Sequence, residues 1–396
     1  MALADVFDVV VVGGGPAGAT AAADLAHTGA SVLLLDRAGR IKPCGGAVPP
    51  RLIRDFDIPA HLLVAQVSGA RMVGPSGVTV DMPIENGFVG MVDRETFDEW
   101  LRCRAQEAGA VRRTGTFKRI EREASGPPTV VYEAEGEERR IVARAIVGAD
   151  GARSKVAVAA GIPKADRIPC VFAYHEIIRS PEAGGAAFDP TRCDVYYQGR
   201  LSPDFYAWVF PHGDTTSVGV GSAVKGFSLR RAVEELRAGA GMKDAQIVRR
   251  EGAPIPLKPL KRWDNRRDVV LAGDAAGVVA PASGEGIYYA MLTGRLAAES
   301  VTAFLRTGDA AALASARRTF QAAHGRVFRV LGIMQWFWYR SDRFRERFVL
   351  ICRDPDVQRL TWQAYMNKEL VRKDPLAHLR VFFKDVAHIF RLASPS

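Results

Sequence analysis

The chain has little sulfur chemistry to offer. Its five cysteines (Cys44, Cys103, Cys170, Cys193, Cys352) are odd in number and include no Cys-x-x-Cys pair, which argues against a disulfide framework or a thiolate zinc site. His175 and His212 stand in no metal-ligand spacing, so they are expected to be structural or surface groups and no metal site is expected. No run of about 18 uncharged apolar residues occurs, so no helix is expected to span a bilayer. Residues 1–12 carry two acids and no base, unlike a secretory signal, and a reducing cytoplasm fits. Repeats and low-complexity linkers are missing too. With 48% hydrophobic and 25% charged residues among 396, the composition is that of a soluble globular protein of two or three units.

What is present is a lopsided charge. The net charge is +10, and the stretch from Arg317 to the end holds 16 basic and 7 acidic residues, so it carries +9 of that. Nucleic acid, an anionic membrane and an acidic partner are the candidates. Nucleic acid is set aside because no reader motif accompanies the charge. The same stretch holds Trp336, Phe337, Trp338 and Tyr339 in succession, followed by Arg340, Arg343, Arg345 and Arg347. Four consecutive rings must face more than one side of a helix. Either the segment caps the body with a solvated basic face, or it lies at a membrane surface with rings at headgroup depth and cations on anionic lipid. Peripheral membrane association of a cytoplasmic protein is the expectation.

The N-terminal residues announce a nucleotide. Val9 to Val12 reads as a strand buried on both faces. Gly13-Gly14-Gly15-Pro16-Ala17-Gly18 follows, then a small-residue helix Ala19 to His27, a strand Ser31 to Leu35, and Asp36, which lies 21 residues beyond Gly15. In a Gly-x-Gly-x-x-Gly turn, Gly13 permits the tight turn, Gly15 admits a pyrophosphate to the helix N-terminus, and Gly18 lets helix and strand pack closely. Asp36 can accept from the ribose hydroxyls. The dinucleotide could be NAD or FAD.

Two later strand ends choose between them. Ala145 to Ser154 runs into Asp150-Gly151, and Asp268 to Gly277 carries Gly273-Asp274. With Asp93-Arg94-Glu95 opening a helix to Ala108, these resemble the motif set of the FAD-dependent aromatic hydroxylase superfamily. The resemblance implies that Asp274 contacts the ribityl and pyrophosphate region, that Asp150 and Gly151 pack by the cofactor, and that Arg94 lies along it. No second Gly-x-Gly-x-x-Gly is visible, so NADPH would visit the flavin without its own Rossmann unit.

Lys42-Pro43-Cys44-Gly45-Gly46-Ala47, Tyr206-Ala207-Trp208-Val209-Phe210-Pro211 and Pro281 to Tyr289 resemble the geranylgeranyl reductase family, nearest its (bacterio)chlorophyll branch. That resemblance implies reduction of a geranylgeranyl chain to phytyl, on a pigment or as geranylgeranyl diphosphate, with FAD as cofactor and NADPH as donor. It places the cofactor on Gly13, Gly15, Ala17, Gly18, Asp36, Arg37, Cys44, Gly45, Gly46, Ala47, Arg94, Asp150, Gly151, Gly273, Asp274, Gly284, Gly286 and Ile287. An isolated alkene accepts hydride only if a proton arrives with it, so the site needs a dry channel and an acid. Cys44 is the candidate acid; otherwise it is a small buried hydrophobe. Tyr206, Trp208 and Phe210 alternate as on one strand face and, with Tyr288, could line a prenyl channel; otherwise they form a domain core. Lys42 and Arg51 could meet a substrate phosphate or simply be solvated.

The implied fold class is α/β, a Rossmann-type FAD-binding domain of the glutathione-reductase-like fold with an inserted α+β substrate domain and a helical C-terminal extension. The flavin domain is expected over 1–75, 92–165 and 262–308, the substrate domain over 76–91 and 166–261, and the basic helical region over 309–396. Glu133 to Arg140 is expected as a hairpin loop. Two rivals remain: a flavin monooxygenase acting on an aromatic or isoprenoid compound, and a prenyl carrier that has lost its cofactor. The intact Gly13, Gly15, Gly18, Asp36 and Asp274 argue against the carrier.

Overall fold

The computed structural model describes residues 5–37, 41–85, 87–123, 126–182 and 188–368. The chain forms two compact units, one of residues 1–44, 93–172 and 252–332, the other of 45–92, 173–251 and 333–396.

The first unit is built on a strand that needs no polar face. Val9 to Val12 is fully buried, because the strand Asp5–Val12 lies between Val32–Asp36 and Glu137–Gly148, parallel to both. Val111–Thr114 and Val269–Leu271 extend the parallel sheet on either side. The helices Pro16–His27 and Ile287–Thr307 pack together beside this sheet, and Gly294 lets them touch: a Cβ there would sit 2.2 Å from the Ala17 carbonyl oxygen. The long strand Glu137–Gly148 also pairs with Thr129–Ala134, register Ala134↔Glu137. The expected loop from Glu133 to Arg140 is therefore only the two residues Glu135 and Gly136, both at positive φ (56° and 82°), whose twist suits adjacent antiparallel strands.

The second unit holds a seven-stranded sheet in the order Ile247–Pro256, Cys170–Arg179, Thr215–Ser222, Ala207–His212, Arg192–Tyr196, Gly69–Val73, Thr79–Pro83. Helix Leu229–Gly239 covers one face. Its Ala232, Val233 and Leu236 pack with Ala207, Val209, Val218 and Val220. Because side chains alternate along a strand, Trp208 and Phe210 stand on the other face, outside that core.

The boundaries differ from expectation, most at two places, with smaller shifts that give residues 166–172 and 252–261 to the first unit. Residues 45–75 belong to the second unit, since Ala47–Val48 and Leu63–Val67 pair with Val89–Val92, and Gly69–Val73 pairs with Arg192–Tyr196. Residues 309–332 belong to the first, because Phe320 and Phe328 pack edge-on against Tyr289 at 6.1 and 4.9 Å. The basic region is helical over Ser315–Trp338, Asp342–Ile351 and Pro355–Asn367; its expected continuation beyond 368 lies outside the described residues.

The four arginines after the aromatic run do not share one solvated face. Arg340 is exposed and stacks over Phe344 at 4.0 Å, and Arg343 is exposed. Arg345 and Arg347 are buried, Arg345 donating to Asp342 and to the carbonyls of Pro203 and Tyr339. Helix Ser315–Trp338 ends before Ser341 starts another, so one helical period does not run through all four arginines.

Candidate nucleotide-binding site

The glycine turn divides its labour sharply. Gly13 has φ +107°, and a Cβ on it would lie 2.3 Å from the Ala149 carbonyl oxygen; on Gly18 it would lie 1.8 Å from the Gly13 carbonyl oxygen. These two glycines let backbone cross backbone. Gly15 is different, with no atom within 4 Å of its Cβ position. It is the N-cap of helix Pro16–His27 and supplies no capping side chain. The helix start, positive by its aligned peptides, is thus left open for an anion.

That opening is the wall of a cavity of about 460 Å³, lined among others by Gly13, Gly15, Ala17, Asp36, Arg37, Lys42, Arg102, Asp150, Gly151 and Asp274. Residues far apart in sequence meet here because the strands that carry them end at the same edge of the parallel sheet. Asp36 ends the strand Val32–Asp36 and lies against Gly14. Asp150 accepts from Ser154 Oγ at 2.5 Å and from the Lys155 and Val156 amides at 2.7 and 3.2 Å. Burial pushes its carboxyl up despite those bonds. Asp274 is buried and accepts from Lys42 Nζ at 2.5 Å, so Lys42 is engaged in the cavity wall rather than solvated. Gly273 seats the turn, its amide donating to Thr293 Oγ1 at 2.8 Å.

Arg102 was not foreseen. Its guanidinium donates to the Gly14 carbonyl at 3.2 Å, approaches Asp36 at 3.6 Å, and pairs with Glu99 at 2.8 Å. Glu99 in turn accepts two bonds from Arg112 (2.5 and 2.8 Å). Hydrogen bonding from Arg112, reinforced by Arg102, pulls the Glu99 carboxyl down to about 2. The only sequence signal was the i,i+3 spacing of Glu99 and Arg102, which is common on helices.

Other expected residues stand elsewhere. Arg94 does not line the cavity; it is buried behind it, bidentate to Asp98 at 2.8 and 2.7 Å. Burial opposes its charge, but Asp98 and the Cys44 sulfur together raise its pKa. Cys44 is the last residue of the first unit, and Gly45, Gly46 and Ala47 enter the second. There a Cβ on Gly45 would lie 3.0 Å from two carbons of the Phe210 ring, and one on Gly46 would strike His212 Nε2 at 2.4 Å. Gly284, Gly286 and Ile287 lead into helix Ile287–Thr307 away from the cavity lining. Tyr288, expected in a channel with Trp208, is instead 2% exposed in the core of the first unit, edge-on to Tyr289 at 5.3 Å. Arg51 pairs with Asp55 at 3.0 Å. Tyr206, Trp208 and Phe210 do form a row, with ring centroids 6.0 and 6.2 Å apart.

The residues fit FAD: an uncapped helix start with an open glycine, an acid at the end of the second strand, and a cavity continuing past Asp150 to Asp274. Residues 7–180 match the family model described as pyridine nucleotide-disulphide oxidoreductase, and residues 216–388 match that described as lycopene cyclase protein. The chain is 58% identical to the geranylgeranyl diphosphate reductase of Rhodobacter capsulatus, covering 98% of this chain and 99% of that protein. It is 37% identical to the chloroplastic geranylgeranyl diphosphate reductase of rice (Oryza sativa), over 97% and 86% of the two chains. A solved structure from Thermoplasma acidophilum, described as geranylgeranyl bacteriochlorophyll reductase-like, shares the fold with a TM-score of 0.81 at 23% identity, covering 94% of this chain and 99% of that one.

Proposed function

The chain belongs to the geranylgeranyl reductase family, and from that premise we propose that it is a FAD-dependent reductase of (bacterio)chlorophyll biosynthesis, saturating isolated double bonds of a geranylgeranyl chain to give phytyl. The substrate is a geranylgeranylated bacteriochlorophyll-type pigment or geranylgeranyl diphosphate, and NADPH is the donor. The observation that carries this is identity that runs through both units, over 391 residues.

FAD, when bound, supplies the hydride. The helix start at Gly15 to Ala17 would hold its pyrophosphate, Asp36 its ribose, and the Lys42–Asp274 pair and Asp150 the stretch beyond. Each reduction consumes one C=C bond, one NADPH and one proton, and yields CH–CH and NADP+. Cys44, held against the Arg94 guanidinium, would be the group that delivers that proton. Within the second unit, the row Tyr206, Trp208, Phe210 offers an apolar surface for a prenyl chain. Support for a phosphorylated donor comes from a second cavity of about 630 Å³, lined by Lys118, Arg153, Lys155 and Phe172, which shares Ala152, Arg153 and Lys155 with the first. Arg153 lies over Phe172 at 5.1 Å, so a cation and a ring face the same opening.

A bilayer is the remaining partner of this reading. Among the described residues no helix is long and apolar enough to cross a membrane. Helix Ser315–Trp338 contains no acid and exposes Arg326, Arg329, Val330, Ile333 and Trp336, with Trp336 68% exposed. At 100° per residue these fall on one side, opposite the buried His324, Phe328 and Trp338. Apolar residues flanked by arginines suit an anionic lipid surface that holds a prenyl substrate. Anaerobic incubation with NADPH and geranylgeranyl diphosphate or geranylgeranylated bacteriochlorophyll, followed by mass spectrometry, tests the proposal. Gains of two, four and six hydrogens are expected. Turnover only with oxygen would identify a monooxygenase instead.

A further inference from the structure

Four neighbouring strands of the second unit carry a buried polar row that the reaction as derived does not use. In strand order, Glu251, His175, Ser217 and Trp208 lie on Ile247–Pro256, Cys170–Arg179, Thr215–Ser222 and Ala207–His212. His175 Nε2 is 2.8 Å from Glu251 Oε2, His175 Nδ1 is 2.9 Å from Ser217 Oγ, and Trp208 Nε1 donates to Ser217 Oγ at 3.1 Å. His175 and Ser217 are 1% and 0% exposed, so of the two expectations for this histidine, structural or surface, it is an interior group held in a network.

Donor chemistry orients the row. The indole N–H can only donate, so Ser217 Oγ accepts from it; in a neutral imidazole whose Nε2–H faces the acceptor-only Glu251 carboxylate, Nδ1 is the acceptor and the Ser217 O–H donates to it. The imidazole then carries its proton on Nε2 and donates to the Glu251 carboxylate. Arg249 Nε, 2.7 Å from Glu251 Oε1, balances the carboxylate charge. The indole is also fixed from below, because it lies over Gly219, where a Cβ would be 2.1 Å from Trp208 Cζ2. Packing alone would hold a ring of this size. The hydrogen-bonded chain across three strands adds what packing alone does not, a fixed direction for the indole N–H.

We infer that Glu251, His175 and Ser217 are positioning residues that lock the Trp208 indole, and through it the aromatic wall, so that successive double bonds are presented in one geometry. This rests on the reading of that wall as the prenyl-binding surface. The central residue is His175, which alone joins the carboxylate to the hydroxyl.

The test uses full-length flavoprotein with Ser217→Ala, Ser217→Thr, Trp208→Phe and the Ser217→Ala/Trp208→Phe double variant. Ser217→Ala is expected to raise KM for geranylgeranyl diphosphate, and Kd of the oxidised flavoprotein for it without NADPH, about tenfold, the scale of one buried hydrogen bond. Product should stall at the two-hydrogen stage. FAD content and NADPH oxidation by ferricyanide should be unchanged. Ser217→Thr, which keeps the hydroxyl, should restore the wild-type product pattern, and the double variant should be no worse than Trp208→Phe alone. Additive effects, or a Ser217→Ala protein that loses melting temperature without any change in KM or product pattern, overturn the inference. A wild-type protein that neither binds nor reduces the prenyl chain refutes the underlying reading, and this inference with it.

Discussion

The same alanine placed at Gly15 and at Gly18 should have opposite consequences. At Gly18 the new Cβ would lie 1.8 Å from the Gly13 oxygen, so strand and helix must part by about 1.6 Å to reach ordinary contact at 3.4 Å. Overpacking of that kind costs about 3 kcal/mol at the upper end, and the gain in helix propensity returns about 1 kcal/mol, leaving a net loss of about 2 kcal/mol. In a unit of this size that corresponds to a fall of about 4–8 °C in Tm. At Gly15 the backbone (φ −76°, ψ −176°) suits alanine and the Cβ meets nothing. Flavin-free Gly15→Ala should therefore melt at or slightly above the wild type, since replacing glycine at a compatible site gains about 0.4–1 kcal/mol. Its methyl would occupy the open space that the proposal gives to the pyrophosphate. Losing one charge-assisted hydrogen bond there, about 1.5–3 kcal/mol, weakens FAD binding about 10- to 150-fold. The assays are thermal melts of flavin-stripped protein and FAD per chain by absorbance after gel filtration. Gly15→Ala with full FAD, or with a melt depressed as far as that of Gly18→Ala, would refute the division of roles.

Other expectations follow from the same geometry. Cys44→Ser should bind FAD and oxidise NADPH with ferricyanide normally while reducing prenyl chains at least about tenfold more slowly; a normal prenyl rate removes the thiol from the chemistry. Arg153→Glu should raise KM for NADPH about tenfold or more, with KM for the prenyl substrate unchanged, as measured by steady-state kinetics. The Glu99 carboxyl is pulled down to about 2 by Arg112, so its contribution to stability is whole above about pH 4.5 and is lost as pH falls toward about 2. The Tm gap between wild type and Glu99→Gln should close over that window, and it should be small because the carboxylate is 45% exposed and screened. Trp336→Asp should reduce sedimentation with phosphatidylglycerol vesicles while FAD stays bound; unaltered sedimentation would move the membrane contact elsewhere.

The parts of this protein that could be read from sequence are those whose physics is local. Strand, glycine turn, helix, strand and acid occupy residues 5–36 without interruption, so the turn, the helix start and the acid are brought together by elements adjacent in sequence. The alternation of Tyr206, Trp208 and Phe210 is equally local, because a strand's period fixes the face. The Arg102 cluster was hidden since its partners Gly14 and Arg112 reach it from separate elements. The buried row was hidden for the same reason: 42 and 76 positions separate His175 from Ser217 and Glu251, and only the strand order unites them. Charge in the tail misled because counting arginines takes no account of helix phase. Arg345 faces inward and Arg340 outward, although both lie in one short basic stretch.

The central claim is that a prenyl double bond, and not oxygen, receives the electrons. Its most direct measurement is the stoichiometry, under strict anaerobiosis, of NADPH consumed against hydrogens gained by geranylgeranyl diphosphate or the geranylgeranylated pigment. One NADPH per two hydrogens, ending at three NADPH per chain, is the expected result. NADPH consumption that requires oxygen, with the prenyl mass unchanged or raised by one oxygen atom, would contradict it.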